Sequence, residues 1–380
     1  MMSNDNPLAA SDSFLGGTDV ASCLDRAMPW LIAAYVLAAT LAWFTRTFTL
    51  HHHWTYPVFR QSFYHLLAHR NLYASDPAQG YDFFKYSPTF ALLFAPFALL
   101  PSSVGLLVWD IANAVAVLAA VAMVLPRRQA AIAAIVVLPE VFVSAQASQS
   151  NGLVAALIVC AFVALERSRL TAAAIAVAVG TAIKIFPLAA VTFALPRSTR
   201  WKFGWRIVVA GAVLAALPLG VISWPLLRQQ YQWWANIEAV DALARGASAM
   251  GLLAGVVPGS WPNWPVQLAG TLVLLAPLVL RPGQWNDARF LRLYLCSLLV
   301  YVVLFNHQAE RPSYVIAVTG VALWYAMSPR TLWRTLLVLL TLVGLREAPC
   351  LLVWIVIQYD LWTFPTAEPA VSDGVAGGAG

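Results

Sequence analysis

The sequence predicts an all-α polytopic membrane protein of about 12 membrane helices, including a half-helix and two short hairpins. Three observations carry this. The 380 residues are 61% hydrophobic and 11% charged, with a mean hydropathy of +0.72, whereas a soluble protein carries roughly a quarter charged residues. Apolar runs recur along the chain between short loops. Basic residues gather in those loops, the pattern of cytoplasmic loops, so the net charge of +6 points to no nucleic-acid surface.

Residues 1–28 are polar and acidic (Asp5, Asp12, Asp19, Asp25), with no basic leader; they read as a cytoplasmic N-terminal segment rather than a cleavable signal. The membrane domain covers 29–362, and residues 363–380, rich in Gly and Ala, read as a disordered tail. Pro29–Thr47 is the first span. An outer loop, 48–87, follows; within it Val58–Arg70 carries Phe59, Phe63, Leu66 and Leu67 at helical spacing, an amphipathic helix lying on the membrane. Pro88–Pro101 has about 14 residues, or ~21 Å as a helix, short of the ~30 Å hydrocarbon layer; it is the half-helix, 88–101. Val104–Leu125 crosses to Arg127-Arg128, and Ala130–Val143 returns. After the loop Ser144–Asn151, Leu153–Leu165 crosses to Glu166-Arg167-Ser168-Arg169.

Thr171–Leu195 is apolar around Lys184 and Pro187 and ends at Arg197, Arg200, Lys202 and Arg206. Basic residues at both ends make it a hairpin: each arm, of about 12 residues or ~18 Å, is too short to span. Its apex then lies within the membrane, where irregular backbone survives only against protein or a cavity. Ile207–Ile222 crosses outward to a second outer loop, 224–264, with Trp224, Trp233, Trp234, Trp261 and Trp264 and an amphipathic piece over Tyr231–Leu243. Val266–Leu280, Phe290–Phe305, Tyr314–Met327, Leu332–Leu345 and Leu351–Gln358 complete the bundle; the last two form the second hairpin, with Arg346-Glu347 at its apex. With 88–101 as a half-helix, the clusters at 127–128, 166–169, 197–206, 281–292 and 330–334 all fall on the cytoplasmic side.

On this topology the outer face gathers Asp76, Asp82, Lys85, Tyr86, Gln149, Asn151, Lys184, Ser248, His307, Glu310, Arg311 and Arg346. A lipid-linked transferase needs such a set: cations for a phosphate, a carboxylate or His for an acceptor hydroxyl, aromatics for a sugar. A transporter or flippase for a lipid-linked substrate would place its site nearer the midplane, with internal repeats, and a non-catalytic scaffold would need neither. Several residues also have plain readings. Asp82 and Lys85 suit a solvated i,i+3 pair, Glu140 a snorkelling carboxylate, Gln149 and Asn151 helix caps, the Trp cluster interfacial anchoring. Lys184 suits an ion pair with Glu140 or Glu347. His51, His52, His53, His65 and His69 lack a Cys or nearby carboxylate to complete a metal set, and the four Cys (Cys23, Cys160, Cys296, Cys350) show neither metal nor disulfide spacing. No metal and no cofactor are expected.

Pro57 with the nearby Phe59, Leu72-Tyr73, Tyr86-Ser87-Pro88, Pro96, Leu100-Pro101, Trp109 with Asn113, Gln149-Ser150-Asn151-Gly152 and Lys184-Ile185-Phe186-Pro187 together resemble glycosyltransferase family 87, a branch of the GT-C membrane transferases. The resemblance runs from about Pro57 to Pro196, with weaker echoes at Ser248-Ala249-Met250-Gly251, Asn306-His307 and Ala348-Pro349-Cys350. It implies a GT-C-like bundle and an inverting hexosyltransferase, typically a mannosyltransferase. The donor is a polyprenyl-phosphate-linked sugar and the acceptor a glycolipid or glycan. The enzyme would be multi-pass in a bacterial-type plasma membrane, with its site on the outer face. Lys85, Lys184 and Arg346 would then hold the donor phosphate, and Tyr86, Gln149, Asn151 and Ser248 the substrate. One departure stands out. The family usually carries an Asp early in the first outer loop; the matching position here is Thr55, and no carboxylate lies between Arg46 and Asp76. Either the base has moved, with Asp82, Glu310 and His307 as candidates, or this branch has a different or lost activity.

Overall fold

The computed structural model describes residues 26–50, 55–74, 83–343 and 347–365. Among them every regular element is helical. α1 (Met28–Phe44) runs on into a π-helical stretch, Thr45–Leu50, and α2 (Tyr56–Leu67) follows. The half-helix region is broken into α3 (Pro88–Leu93) and α4 (Ala95–Ala98). Then come α5 (Ser102–Val124), α6 (Arg127–Gln146), α7 (Asn151–Glu166) and α8 (Leu170–Ile183), a 3₁₀ segment over Phe186–Ala194, and α9 (Arg200–Ala216). α10 (Trp224–Asp241) and α11 (Ala249–Ala254) lie in the segment expected to be the second outer loop, followed by α12 (Trp264–Leu280), α13 (Ala288–Leu304), α14 (Tyr314–Met327), α15 (Leu332–Leu342) and α16 (Glu347–Trp362).

α14 is apolar all round and buried on nearly every residue, as a central helix must be. It packs against α6 and α13; α7 fills the space between α5, α8 and α14, and α1 closes over α5 and α6. Alanines dominate the close contacts: Ala130, Ala131, Ala133 and Ala134 on α6, and Ala155 and Ala156 on α7, are all buried. Small residues let backbones approach where lipid, not water, surrounds the helices. At Gly320 an added Cβ would lie 2.6 Å from the Cys296 carbonyl oxygen, so only glycine fits there. The periphery is inverted relative to a soluble protein. α9 buries only Phe203 and turns Trp201, Trp205, Val208 and Val213 outward. Such an apolar exterior belongs against acyl chains.

By length and composition, Met28–Thr49, Ser102–Val124, Arg127–Gln146 and Arg200–Gly220 can each cross a membrane, and several shorter apolar helices accompany them. The expected set of about 12 membrane helices included a half-helix and two short hairpins, and prolines, glycines and Lys184 break many of the apolar runs into shorter pieces. The apolar face of α2 is covered by protein: Phe59, Phe63 and Leu66 are buried as the helix packs on the broken α3–α4 helix, and of the four apolar residues only Leu67 is exposed. A cluster of edge-to-face rings joins Phe59, Phe90, Phe94 and Trp109 there.

The segment around Lys184 folds back on itself. α8 ends at Lys184, whose backbone is extended (φ −141°, ψ 141°). Pro187, next to Gly180, cannot donate the next helical hydrogen bond. The 3₁₀ segment then returns along α7 and α8, with Phe193 against Phe162 at 5.2 Å between ring centroids. It finishes where Arg197 pairs with Glu166. Lys184 is thus at one end of α7, near Asn151, and Arg197 at the other.

Candidate functional site

A cavity of about 1060 Å³ opens where the loops before α3, before α7 and after α13 meet the Lys184 turn and α10. Its position follows from a few local bonds. Ser87 Oγ accepts from Phe90 N at 3.2 Å, capping α3, and donates to the carbonyl of Ala182 in the last turn of α8. That one side chain holds Lys85-Tyr86 beside Lys184. Trp109 Nε1 donates to the Ser148 carbonyl at 2.8 Å, and Asn113 Oδ1 accepts from Leu153 N at 2.9 Å. The first turn of α7 is therefore capped by Asn113. Gly152 permits the approach, because a Cβ there would lie 2.7 Å from the Asn113 carbonyl oxygen. Ser148 takes a left-handed backbone (φ 51°), at roughly 1–2 kcal/mol for a residue with a side chain.

Freed from capping, Gln149 and Asn151 turn to other partners. Lys184 Nζ donates to Asn151 Oδ1 at 2.8 Å, and the ammonium lies 5.8 Å above the Tyr86 ring. Tyr86 Oη donates to Gln149 Oε1 at 3.1 Å, and Gln149 Nε2 donates to Glu310 Oε2 at 3.3 Å. Glu310 is near enough to Lys184 to interact with it electrostatically. Neither carboxylate proposed as an ion partner for Lys184 is seen beside it: Glu140, 1% exposed, is gripped by Arg311 at 2.6 and 3.4 Å. The buried fork-on-carboxylate geometry explains how Glu140 sits in an apolar helix.

A second polar group faces this one. Lys85 Nζ pairs with Asp241 at 2.8 Å, so its charge is shared with α10. Trp234 Nε1 donates to the Lys85 carbonyl at 3.2 Å, and Gln308 Nε2 donates to Glu238 at 3.3 Å and to Asp241 at 3.4 Å. Burial pushes the Glu238 carboxyl above its ordinary value and Asp241 adds to that, against the hydrogen bonds from Gln308 and Trp234 and the charge of Lys85. Burial pushes His307 below its ordinary value, with Asp241 acting the other way. Gln267 Nε2 donates to the Phe305 carbonyl at 3.2 Å, which fixes the orientation of its amide; the same nitrogen lies 3.1 Å from His307 Nδ1. Nδ1 is therefore an acceptor and the ring proton sits on Nε2, which has no partner among the described residues.

Of the residues singled out in the sequence, Lys85, Tyr86, Gln149, Lys184, His307 and Glu310 line this cavity, and Asn151 reaches it through Lys184. Ser248 does not line it: it is fully buried and caps α11, accepting from Gly251 N at 3.2 Å. Asp82 and Arg346 lie outside the described residues. Thr55, the position of the missing carboxylate, does line the cavity. Sequence reasoning missed Glu238, Asp241 and Gln267. The signal for the first two was a pair of carboxylates three apart on an aromatic amphipathic helix, which reads equally as a wetted face. Apolar side chains complete the lining, among them Ile185 and Leu188, which are 48% and 44% exposed. Among the described residues no group of His, Cys, Asp and Glu is arranged to hold a metal ion.

An apolar, all-helical bundle around a cavity with a charged floor and a greasy wall defines a membrane protein suited to an amphiphilic substrate. The pattern of glycosyltransferase family 87 matches residues 83–306, more than half of the chain, and the chain belongs to that family. The match begins later and ends later than the resemblance read from the motifs, taking in α10 and the loop after α13. No curated protein matches the sequence. Membership makes this a membrane glycosyltransferase, with a sugar donor and an acceptor as substrates.

Proposed function

We propose that the protein transfers a hexose, mannose in the first instance, from a polyprenyl-phosphate donor to a glycolipid or glycan acceptor, with inversion, on the outer face of a bacterial-type plasma membrane. The observation that carries this reading is the placement of Lys184. A lone ammonium in an apolar hairpin costs roughly 2.5–3.5 kcal/mol to insert, yet here it lies against a neutral amide in a cavity. Glu310, the carboxylate that acts on this charge, is hydrogen-bonded to Gln149, so a sugar phosphodiester can dock on the ammonium itself, and the exposed Ile185 and Leu188 beside it suit the polyprenyl chain. Tyr86, Gln149 and Asn151 are the sugar-side contacts in this reading. Arg346 and Asp82 stay in it on their sequence position alone.

The test is mass spectrometry of lipid-linked glycans in a deletion strain against wild type. A glycan shorter by one hexose should accumulate in the deletion, and return of the protein should remove it. An unchanged glycan profile, together with purified protein that does not bind a polyprenyl-phosphate-hexose, would refute the reading.

A further inference from the structure

The cavity has two polar ends. At one, Lys184 presents an ammonium held by Asn151, while Glu310 is hydrogen-bonded to Gln149 and Arg311 is paired with Glu140. At the other, Glu238 and Asp241 stand on one face of α10, opposite Gln308. An inverting transfer needs this separation. The leaving phosphate departs from one face of the sugar carbon while the acceptor hydroxyl arrives at the other, with a base beside it. Resting on the transferase reading above, we propose that Glu238 is the general base that replaces the carboxylate missing at Thr55.

Asp82 lies outside the described residues, and among those described the other candidates are engaged elsewhere. Asp241 is tied to Lys85 by a 2.8 Å ion pair. Glu310 accepts from Gln149 and sits on the cationic side, where a negative charge balances Lys184. His307 keeps its proton on Nε2, with Nδ1 occupied by Gln267, so it presents a donor rather than a lone pair. Glu238 lines the cavity directly, and its two donors, the Gln308 amide at 3.3 Å and the Trp234 indole, still leave carboxylate lone pairs to spare. Burial and the neighbouring Asp241 make it more basic than an ordinary carboxylate. In the step itself the acceptor O–H proton passes to Glu238 as the acceptor oxygen bonds to the sugar C1. The C1–O bond to phosphate breaks, and its electron pair leaves with the polyprenyl phosphate.

The test uses purified full-length protein, tritiated polyprenyl-phosphate-mannose, and a lipid extract of the deletion strain as the source of acceptor. Glu238→Gln should lower turnover by about a hundredfold or more, the range a general base supplies, with donor Kd within about threefold of wild type. Sodium azide, a nucleophile that needs no deprotonation, should restore donor consumption in the variant and yield a glycosyl azide. A structural role predicts no such rescue. Turnover within about threefold of wild type, or a loss that azide does not repair, would overturn the assignment. If Glu238→Gln does not accumulate, the pH profile of the wild type decides. The titratable groups facing Glu238 are Asp241, Lys85 and Tyr73, with His307 acting on Asp241 beside it, and the acid limb of kcat should lie above the ordinary carboxylate value of 4.5. A rate that persists below 4.5 overturns the proposal as well. Wild-type protein that consumes no donor with either acceptor or azide would sink the transferase reading itself, and Glu238's role with it.

Discussion

Replacing Lys184 by Gln separates a phosphate ligand from a structural cation. The side chain donates to a neutral amide, Asn151 Oδ1, at 2.8 Å, and a Gln amide can still reach that oxygen. Glu310, the nearest carboxylate in electrostatic terms, is exposed and hydrogen-bonded to Gln149, so the substitution strands no buried anion. Removing the ammonium also removes its insertion cost of roughly 2.5–3.5 kcal/mol. Thermal stability in detergent should therefore hold or rise slightly. The donor tells the other half. A charged hydrogen bond to phosphate is worth about 1.5–3 kcal/mol net, well under the ~4 kcal/mol Coulomb figure for unit charges 4 Å apart at an effective dielectric of 20. Kd for a polyprenyl-phosphate-hexose should accordingly rise between about tenfold and a hundredfold. Trp234 lines the cavity, so quenching of tryptophan fluorescence is a direct titration signal. A variant that unfolds at clearly lower temperature while binding donor as wild type does would refute the phosphate role and make Lys184 a structural group.

Arg311→Met withdraws the guanidinium from a carboxylate that is 1% exposed, while Arg311 itself is 38% exposed. The loss should sit near the low end for a broken buried pair, about 3 kcal/mol, visible as a lower unfolding midpoint; no shift would mean that Glu140 is held by other contacts. Asn113→Ala removes the acceptor for Leu153 N and the donor to the Trp109 carbonyl. It should cost about 1 kcal/mol as a lost cap and weaken donor binding, because Gln149 and Asn151 ride on that turn; full stability with full binding would count against Asn113 as their anchor. Ala74→Cys, in a background without the native cysteines, should react with an impermeant thiol reagent only from outside. Labelling from the cytoplasm alone would invert the topology.

The break at Lys184 and the fragmented helix after Ser87 were legible because both are written locally. A lone cation in an apolar run, and prolines at 88, 96 and 101, change the backbone wherever the chain ends up. Six of the cavity residues were found the same way, as polar groups where apolar ones were expected. The opposite wall was not legible. Glu238 reaches the cavity, and Asp241 the Lys85 on its wall, only because α10 docks on the segment between α1 and α3, through Gln230 Nε2 to the Arg70 carbonyl at 2.7 Å and Trp234 to the Lys85 carbonyl. Contacts some 150 residues apart leave no periodicity to read. Ser248 shows the reverse error. A serine three residues before Gly251 carries the ordinary signature of a helix cap, and its bond is spent there. Hydropathy registers apolar runs and is blind to where those runs are cut, so the breaks within them were not legible.

The hairpin at Lys184 also sets an order of events during synthesis. Asn151 lies on the helix that precedes α8, so it is already in place when the ammonium enters the bilayer. Glu310 is 126 residues further on (310 − 184), which at about 5–20 residues per second is a delay of roughly 6–25 s. For that interval the nascent hairpin must be held by an amide alone. Mutations at Asn151 should then show themselves first as misinserted or degraded chains, so that the yield of protein reaching the membrane falls in addition to any loss of activity in what arrives.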